Sequence, residues 1–290
     1  MLSLVLPKGS LEAATISLFD AADLTVRRGS DRDYHASIDD PRIDRVMFLR
    51  PQEIPDYVEQ GLFDVGITGR DWIAETSANV VTVCELEYSK ATSNPVRIVL
   101  AVPKEHPADS AAHLPDGVRV STEFPQLTRR YFDDLGVKAV IVPSYGATEA
   151  KVPEIVDAIV DLTETGTSLV KHGLRILDTL LVSRTEFVTN AAAYDDPEKR
   201  RAMDDIALLL QGAIRARGKV YLMLNVAADR LSEVLGVLPS MGSPTVTSLA
   251  NGDHAVASVV PKRGINELIP ALRAAGGRDI LELPISKIVE

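Results

Sequence analysis

Residues 157–169 read Asp157-Ala-Ile-Val-Asp161-Leu-Thr-Glu-Thr165-Gly166-Thr167-Ser168-Leu169. The apolar run Ala158-Ile159-Val160 has the length and β-branched character of a buried strand. It ends at a carboxylate and gives way to a loop of small hydroxyl residues around one glycine. Strand followed by loop and helix is the repeating unit of an α/β domain.

The same unit recurs on both sides. Upstream, Leu2 to Leu6 reads as a strand, and Gly9-Ser10 opens a helix through Leu18, Phe19 and Ala22. Val46 to Leu49 and Phe63 to Thr68 read as strands, with a helix starting at Pro51 to Pro55 between them. This alternation predicts a parallel sheet. A second α/β unit has strands at Val96 to Val102, Val118 to Ser121, Val137 to Val142 and Leu177 to Ser183, with a helix through Leu127 and Tyr131. Asp195-Asp196-Pro197 starts a long amphipathic helix that runs to about Arg217. Beyond it the order becomes strand, helix, strand, strand, helix, strand, over 220–226, 229–238, 245–249, 255–260, 265–275 and 280–284. That is the ferredoxin-like βαββαβ arrangement, and it places a domain boundary near residue 217.

Bulk properties narrow the functional classes. With 290 residues, 46% hydrophobic and 25% charged, the chain suits a globular protein of two or three domains. Neither a signal-peptide pattern nor a membrane-length apolar run is expected, and the single cysteine, Cys84, sits in an apolar strand-like run. A cytoplasmic protein with no membrane partner follows as the expectation. The net charge of −10 argues against a nucleic-acid surface. Anionic small ligands would need cations gathered locally, or a metal.

The loop after Asp161 has a chemistry of its own. Consecutive main-chain N–H groups at a helix start form an anion nest. Thr165, Thr167 and Ser168 add hydroxyl donors, and Gly166 lets the backbone approach a phosphate. A carboxylate just ahead of the nest would repel a bare phosphate. It suits a ligand carrying hydroxyls beside its phosphate, as ribose 5-phosphate does, with Asp161 accepting from the hydroxyls. The same residues also read as a strand followed by a helix capped by Asp or Thr.

The stretch 157–169 resembles the phosphoribosyl-diphosphate loop of the ATP phosphoribosyltransferases, which open histidine biosynthesis. Other segments agree: Leu6-Pro7-Lys8-Gly9-Ser10-Leu11, Phe48-Leu49-Arg50-Pro51, Asp64-Val-Gly-Ile-Thr-Gly-Arg70-Asp71, Thr122-Glu123-Phe124-Pro125 with Arg129-Arg130-Tyr131, and Gly146-Ala-Thr-Glu149-Ala-Lys151. Two departures stand out. The segment between Glu149 and Asp157 lacks the glycine-rich small residues of many members, and Phe124 stands where many have Tyr.

The resemblance implies two periplasmic-binding-protein-like α/β lobes forming a cleft, plus a C-terminal ferredoxin-like, ACT-like regulatory domain. The division it implies is 1–95 with 184–216, then 96–183, then 217–290. It implies transfer of the phosphoribosyl group to N1 of the adenine of ATP, with pyrophosphate leaving and Mg²⁺ carried mainly by substrate phosphates. Lys8, Arg50 and Asp161 are the expected catalytic residues. Asp157, Asp161, Thr165, Gly166, Thr167, Ser168 and Leu169 would meet the ribosyl donor, and Gly9, Arg70, Asp71, Phe124 and Arg129 would meet ATP. Several of these have plainer readings: a solvated Lys8, an Arg50 paired with Asp64 or Asp71, an N-capping Asp71, and a Phe124 packed in a core. Histidine would bind near Asn225, Met241, Ser243 and Thr245 and inhibit from there, in a homo-oligomer between dimer and hexamer. The rival class is a two-lobed solute-binding protein, which would have no use for Asp161 beside the hydroxyl loop.

Overall fold

A computed structural model describes residues 1–88 and 96–289. The chain divides into two compact units, residues 1–208 and 209–290. The division falls inside a helix, ahead of the boundary near 217 expected from the pattern change.

The first unit holds two sheets. The larger has seven strands: β1 (Leu2–Pro7), β2 (Val26–Arg27), β3 (His35–Ile38), β4 (Ile43–Leu49), β5 (Val65–Gly69), β6 (Val81–Leu86) and β12 (Thr185–Thr189), in the order β2-β3-β4-β1-β5-β12-β6. The smaller has β7 (Val96–Pro103), β8 (Arg119–Thr122), β9 (Val140–Pro143), β10 (Ala158–Thr163) and β11 (Leu174–Ser183), in the order β11-β7-β10-β8-β9. Their helices are α1 (Glu12–Ala21), α2 (Ile54–Glu59), α3 (Arg70–Thr76), α4 (Pro125–Leu135), α5 (Thr167–Lys171) and α6 (Ala191–Asp195). A long helix, α7 (Pro197–Ala216), follows.

β1 is buried almost along its whole length, as its unbroken apolar run requires in a strand covered on both faces. It pairs in parallel with β4 and β5. The sheets are nonetheless mixed, not purely parallel as the alternation suggested. β12 runs antiparallel to both β5 and β6, and β7 runs antiparallel to β10 and β11. The reason is the return of the chain. β11 ends at Ser183, and after Arg184 alone β12 enters the larger sheet. This crossing is pinned to the start of α3. The Arg70 N–H donates to the Arg184 carbonyl at 2.9 Å, and the Ser183 hydroxyl donates to Asp71 Oδ1 at 2.7 Å.

The second unit carries β13 (Lys219–Val226), α8 (Leu231–Val237), β14 (Thr245–Ser248), β15 (His254–Pro261), α9 (Ile265–Ala274) and β16 (Arg278–Pro284). The sheet order is β14-β15-β13-β16, all antiparallel, which is the ferredoxin-like topology. β13 alternates strictly between partly buried and buried positions. Val220, Leu222, Leu224 and Val226 face a core with Val234, Ile265 and Leu272. One covered face and one open face is what that alternation dictates.

Candidate active site

The hydroxyl loop lies where β10 turns into α5. Gly166 adopts a left-handed φ of +77°, and its N–H donates to Thr163 Oγ1 at 2.8 Å. The Thr165 and Thr167 hydroxyls are 2.9 Å apart, and both residues are exposed with Ser168. Leu169 is buried with Val99, Ala101, Val156, Ile159 and Leu174, so its side chain anchors the loop and only its main chain can face a ligand. The loop thus presents donors outward from a fixed apolar footing.

Asp161 stands at the same end of β10. Its Oδ1 accepts the Leu162 N–H at 2.7 Å. Burial, then the charges of Glu149 and Glu123, push its carboxyl up to about 6, opposed by the Leu162 N–H and by Lys151. Glu149 also accepts the Ser168 hydroxyl at 3.3 Å, joining the short helix over 148–151 to the loop.

Asp157 is not in this group. It precedes the first residue of β10, roughly 20 Å of strand from the loop at about 3.3 Å per residue. There it takes the Arg119 N–H at 2.9 Å and the guanidinium at 2.7 and 3.1 Å. That bidentate pair lowers its carboxyl below the usual range, against some burial. The pair ties the residue ahead of β10 to the start of β8.

Lys8, Gly9 and Arg50 come together in the larger lobe. They line a pocket of about 510 Å³ with Ser10, Tyr34 and Gln52 among its other walls. Gly9, at φ +98°, turns the chain out of β1, and Lys8 Nζ sits 4.3 Å from the centre of the Tyr34 ring. The ammonium also reaches the carbonyls of Asp31 and Arg32 at 3.5 and 3.4 Å. Arg50 is exposed and pairs with neither carboxylate offered to it: Asp64 holds Lys199 at 2.6 Å and Asp71 holds Ser183. Two cations therefore open onto one pocket.

The remaining nucleotide-side candidates sit elsewhere. Arg70 is tied to Glu186 and Glu85, each at 2.6 Å, and Glu186, 2% exposed, also takes the Thr82 hydroxyl. Asp71 is 4% exposed, and burial raises its carboxyl. It is not the N-cap of α3, a position held by Gly69. A Cβ on Gly69 would lie 2.0 Å from Asp71 Oδ1, so any larger residue there would displace that carboxylate. Phe124 is 2% exposed and packs on Trp72 with ring centres 4.7 Å apart, so its face is spent in the core. Arg129 is exposed on α4. Burial and the Glu186 charge push the Cys84 thiol up to about 12, which leaves it unreactive at neutral pH.

Pattern reading passed over two residues. Tyr34 carries no local motif. Lys151 ends one of the matching segments, and its place just ahead of an X-Pro bond and ten residues before Asp161 is the local signal it offers.

The family model for ATP phosphoribosyltransferase matches residues 50–212, and a second model, for the family's C-terminal domain, matches residues 216–287. The chain belongs to the ATP phosphoribosyltransferase family. It is a pentosyltransferase by that membership. An ATP phosphoribosyltransferase of Pelotomaculum thermopropionicum is 46% identical over 99% of both chains. One from Solibacter usitatus is 48% identical over 100% of this chain and 99% of the relative. Among solved structures, a chain of the ATP phosphoribosyl transferase (HisG:HisZ) complex from Thermotoga maritima superimposes with a TM-score of 0.62 at 30% identity. The match covers 73% of the transferase described here and 97% of that chain.

In the second unit, Asn225 and Thr245 lie on the sheet face away from α8 and α9. Asn225 pairs with Ala255 and Thr245 with Ala257, both on that face. Asn225 Nδ2 donates to Asp279 Oδ2 at 3.1 Å. Met241 and Ser243 are exposed in the turn leading into β14. Among the described residues no helix is long and apolar enough to cross a membrane.

Proposed function

We propose that this transferase joins ATP to phosphoribosyl diphosphate by gripping the ribosyl donor at the end of β10 and drawing off pyrophosphate with locally gathered cations. The observation that carries the reading is Asp161 beside the left-handed Gly166 turn. A half-buried carboxylate stands where ribose hydroxyls would be, with hydroxyl and main-chain donors just beyond it for the 5-phosphate. N1 of adenine attacks the anomeric carbon, whose bond to pyrophosphate breaks as positive charge grows on the ribose ring. Such a step rests on positioning and on neutralising the leaving group. Lys8 and Arg50 supply charge toward phosphate oxygens from their shared pocket, and Arg70 and Asp71 shape the α3 turn through their partners.

Mg²⁺, which the family implies, would be carried mainly by substrate phosphates and would supply positive charge at the leaving group when bound. The division into lobes 1–95 with 184–216 and 96–183, followed by a histidine-binding domain over 217–290, is carried in this proposal. So is a cytoplasmic homo-oligomer. The open face of the C-terminal sheet, with Leu281 55% and Leu283 43% exposed, supports assembly of chains.

The test is pyrophosphate release from ATP, phosphoribosyl diphosphate and Mg²⁺. Asp161→Asn should lower kcat/KM for the donor by about 100-fold or more, roughly 3 kcal/mol of lost transition-state binding. Because the folded carboxyl sits near 6, above its unfolded value, its burial costs stability as pH rises through that window. Asp161→Asn should therefore be as stable as the parent at pH 8, or more so. A variant that keeps its turnover would remove Asp161 from the reaction.

A further inference from the structure

Lys151 ends the short helical turn over 148–151 and is partly buried. Its ammonium donates to Ser144 Oγ at 2.5 Å and to Ser121 Oγ at 3.4 Å. Ser144 is 6% exposed and Ser121 fully buried, and Ser144 is held in turn by Thr148 Oγ1 at 2.8 Å. Ordering a lysine this way costs rotamer entropy and some hydration of its charge. A hydroxyl cradle is a poor reason to bury an ammonium, since neutral acceptors return little of that cost.

The sheet shows what the charge faces. Ser121 on β8 is paired in register with Ile159 on β10, so both side chains point the same way. Asp161, two residues further along, shares that face. Diagonal neighbours on a sheet lie about 7–8 Å apart. The groups bearing on Asp161 are Glu149 from the 148–151 turn, Glu123 from just past β8, the Leu162 N–H, and Lys151. Two anions thus oppose its charge and one cation supports it. Yet the partners Lys151 contacts are the serine hydroxyls, not a carboxylate oxygen.

We propose that Lys151 is a positioning residue that keeps Asp161 a carboxylate at working pH while leaving its oxygens free for ribose hydroxyls. The ammonium acts through space from a fixed seat. A contact ion pair would spend the acceptors that the sugar needs. This inference rests on the ribose role of Asp161 proposed above.

The test uses the full chain and three variants. Lys151→Gln keeps a polar donor toward Ser144 and removes the charge, Lys151→Arg keeps the charge, and Asp161→Asn serves as reference. Removing that charge should move the acid limb of kcat/KM for the ribosyl donor up by up to about one pH unit. At pH 6 that is a loss of up to about tenfold, recovered by pH 8.5, and Lys151→Arg should follow the parent profile. Carboxyl carbon-13 titration of the ligand-free enzyme, with the Asp161 signal identified by its absence in Asp161→Asn, should show the same upward shift. An equal loss at every pH, or an unmoved carboxyl titration in Lys151→Gln, overturns the proposal. Should Lys151→Gln not fold, Lys151→Met is read in the same way. If Asp161→Asn stays active while the titration still shifts, the ribose reading is what has failed.

Discussion

Gly166 shows how much one backbone torsion carries. At φ +77° an L-residue pays about 1–2 kcal/mol, and a Cβ there would also meet Ile176 Cδ1 at 3.4 Å. The contact is tolerable and the torsion is not, least of all for a β-branched side chain. Gly166→Val should therefore relax out of the left-handed region and turn the Thr165 and Thr167 donors away from a bound phosphate. We expect turnover to fall by at least about 100-fold while thermal unfolding moves only by the few degrees such a strain implies. Steady-state kinetics beside calorimetry separate the two effects, and surviving activity would put the phosphate elsewhere. At this scale the sequence was legible where chemistry needs a particular residue type. Gly166 and Asp161, on which the proposed function rests, stand out by type and spacing. Phe124 and Asp157 do not, because an aromatic before proline serves a core as well as a purine, and an aspartate beside a strand serves an arginine as well as a sugar. Which partner each has was set by Trp72 and Arg119, distant in sequence.

Elements meet at points that local pattern does not announce, and the junction of α3 with α4 is the clearest. Glu75, near the end of α3, accepts the Gln126 and Leu127 N–H groups at 2.9 and 2.8 Å, which are first-turn donors of α4. A carboxylate there satisfies two orphan N–H groups and meets the positive end of the helix. Arg130 returns a bond from α4 to the Ala74 carbonyl, and Trp72 stacks on Phe124 beside them. Glu75→Ala should cost about 1–2 kcal/mol, the range of a lost N-cap with its charge. Glu75→Gln should recover part of it, since an amide oxygen still accepts. Urea denaturation measures the cost, and Trp72, the single tryptophan, should report loosening of the junction by a red-shifted emission. An unchanged midpoint in Glu75→Ala would mean that water replaces the carboxylate without loss. Among the strands that the pattern does not announce, β12 belongs to this scale too. Only Arg184 separates it from β11, and Thr185-Glu186-Phe187-Val188-Thr189 carries too few apolar residues to announce a buried strand. What divides them is the pairing of β12 between β5 and β6, a contact between segments more than a hundred residues apart.

Over the whole chain, acidity and the C-terminal unit bear on one question: how a protein of net charge −10 handles two polyanionic substrates, and whether histidine restrains it as proposed. Its cations must be local, as proposed for Lys8 and Arg50, and histidine, the proposed inhibitor, must act through a difference in affinity between two states. A simple truncation is a poor test. The second unit begins at Leu209, and within it the Ile288 N–H donates to the Gly212 carbonyl. A cut near 217 would remove that bond and divide the second unit. The full chain gives a cleaner measurement, because coupling is reciprocal. If histidine weakens binding of the ribosyl donor by some factor, the donor must weaken histidine binding by the same factor. Calorimetric titration of histidine with and without phosphoribosyl diphosphate should give that equality, with a factor of about 5 to 150 for a coupling of 1–3 kcal/mol. Asn225→Ala removes the amide that donates to Asp279 on the open sheet face, and it should weaken histidine by about tenfold or more while turnover without histidine stays within about twofold. Histidine bound equally tightly with and without the donor, or unaffected by Asn225→Ala, would separate the C-terminal sheet from regulation and leave it to assembly alone.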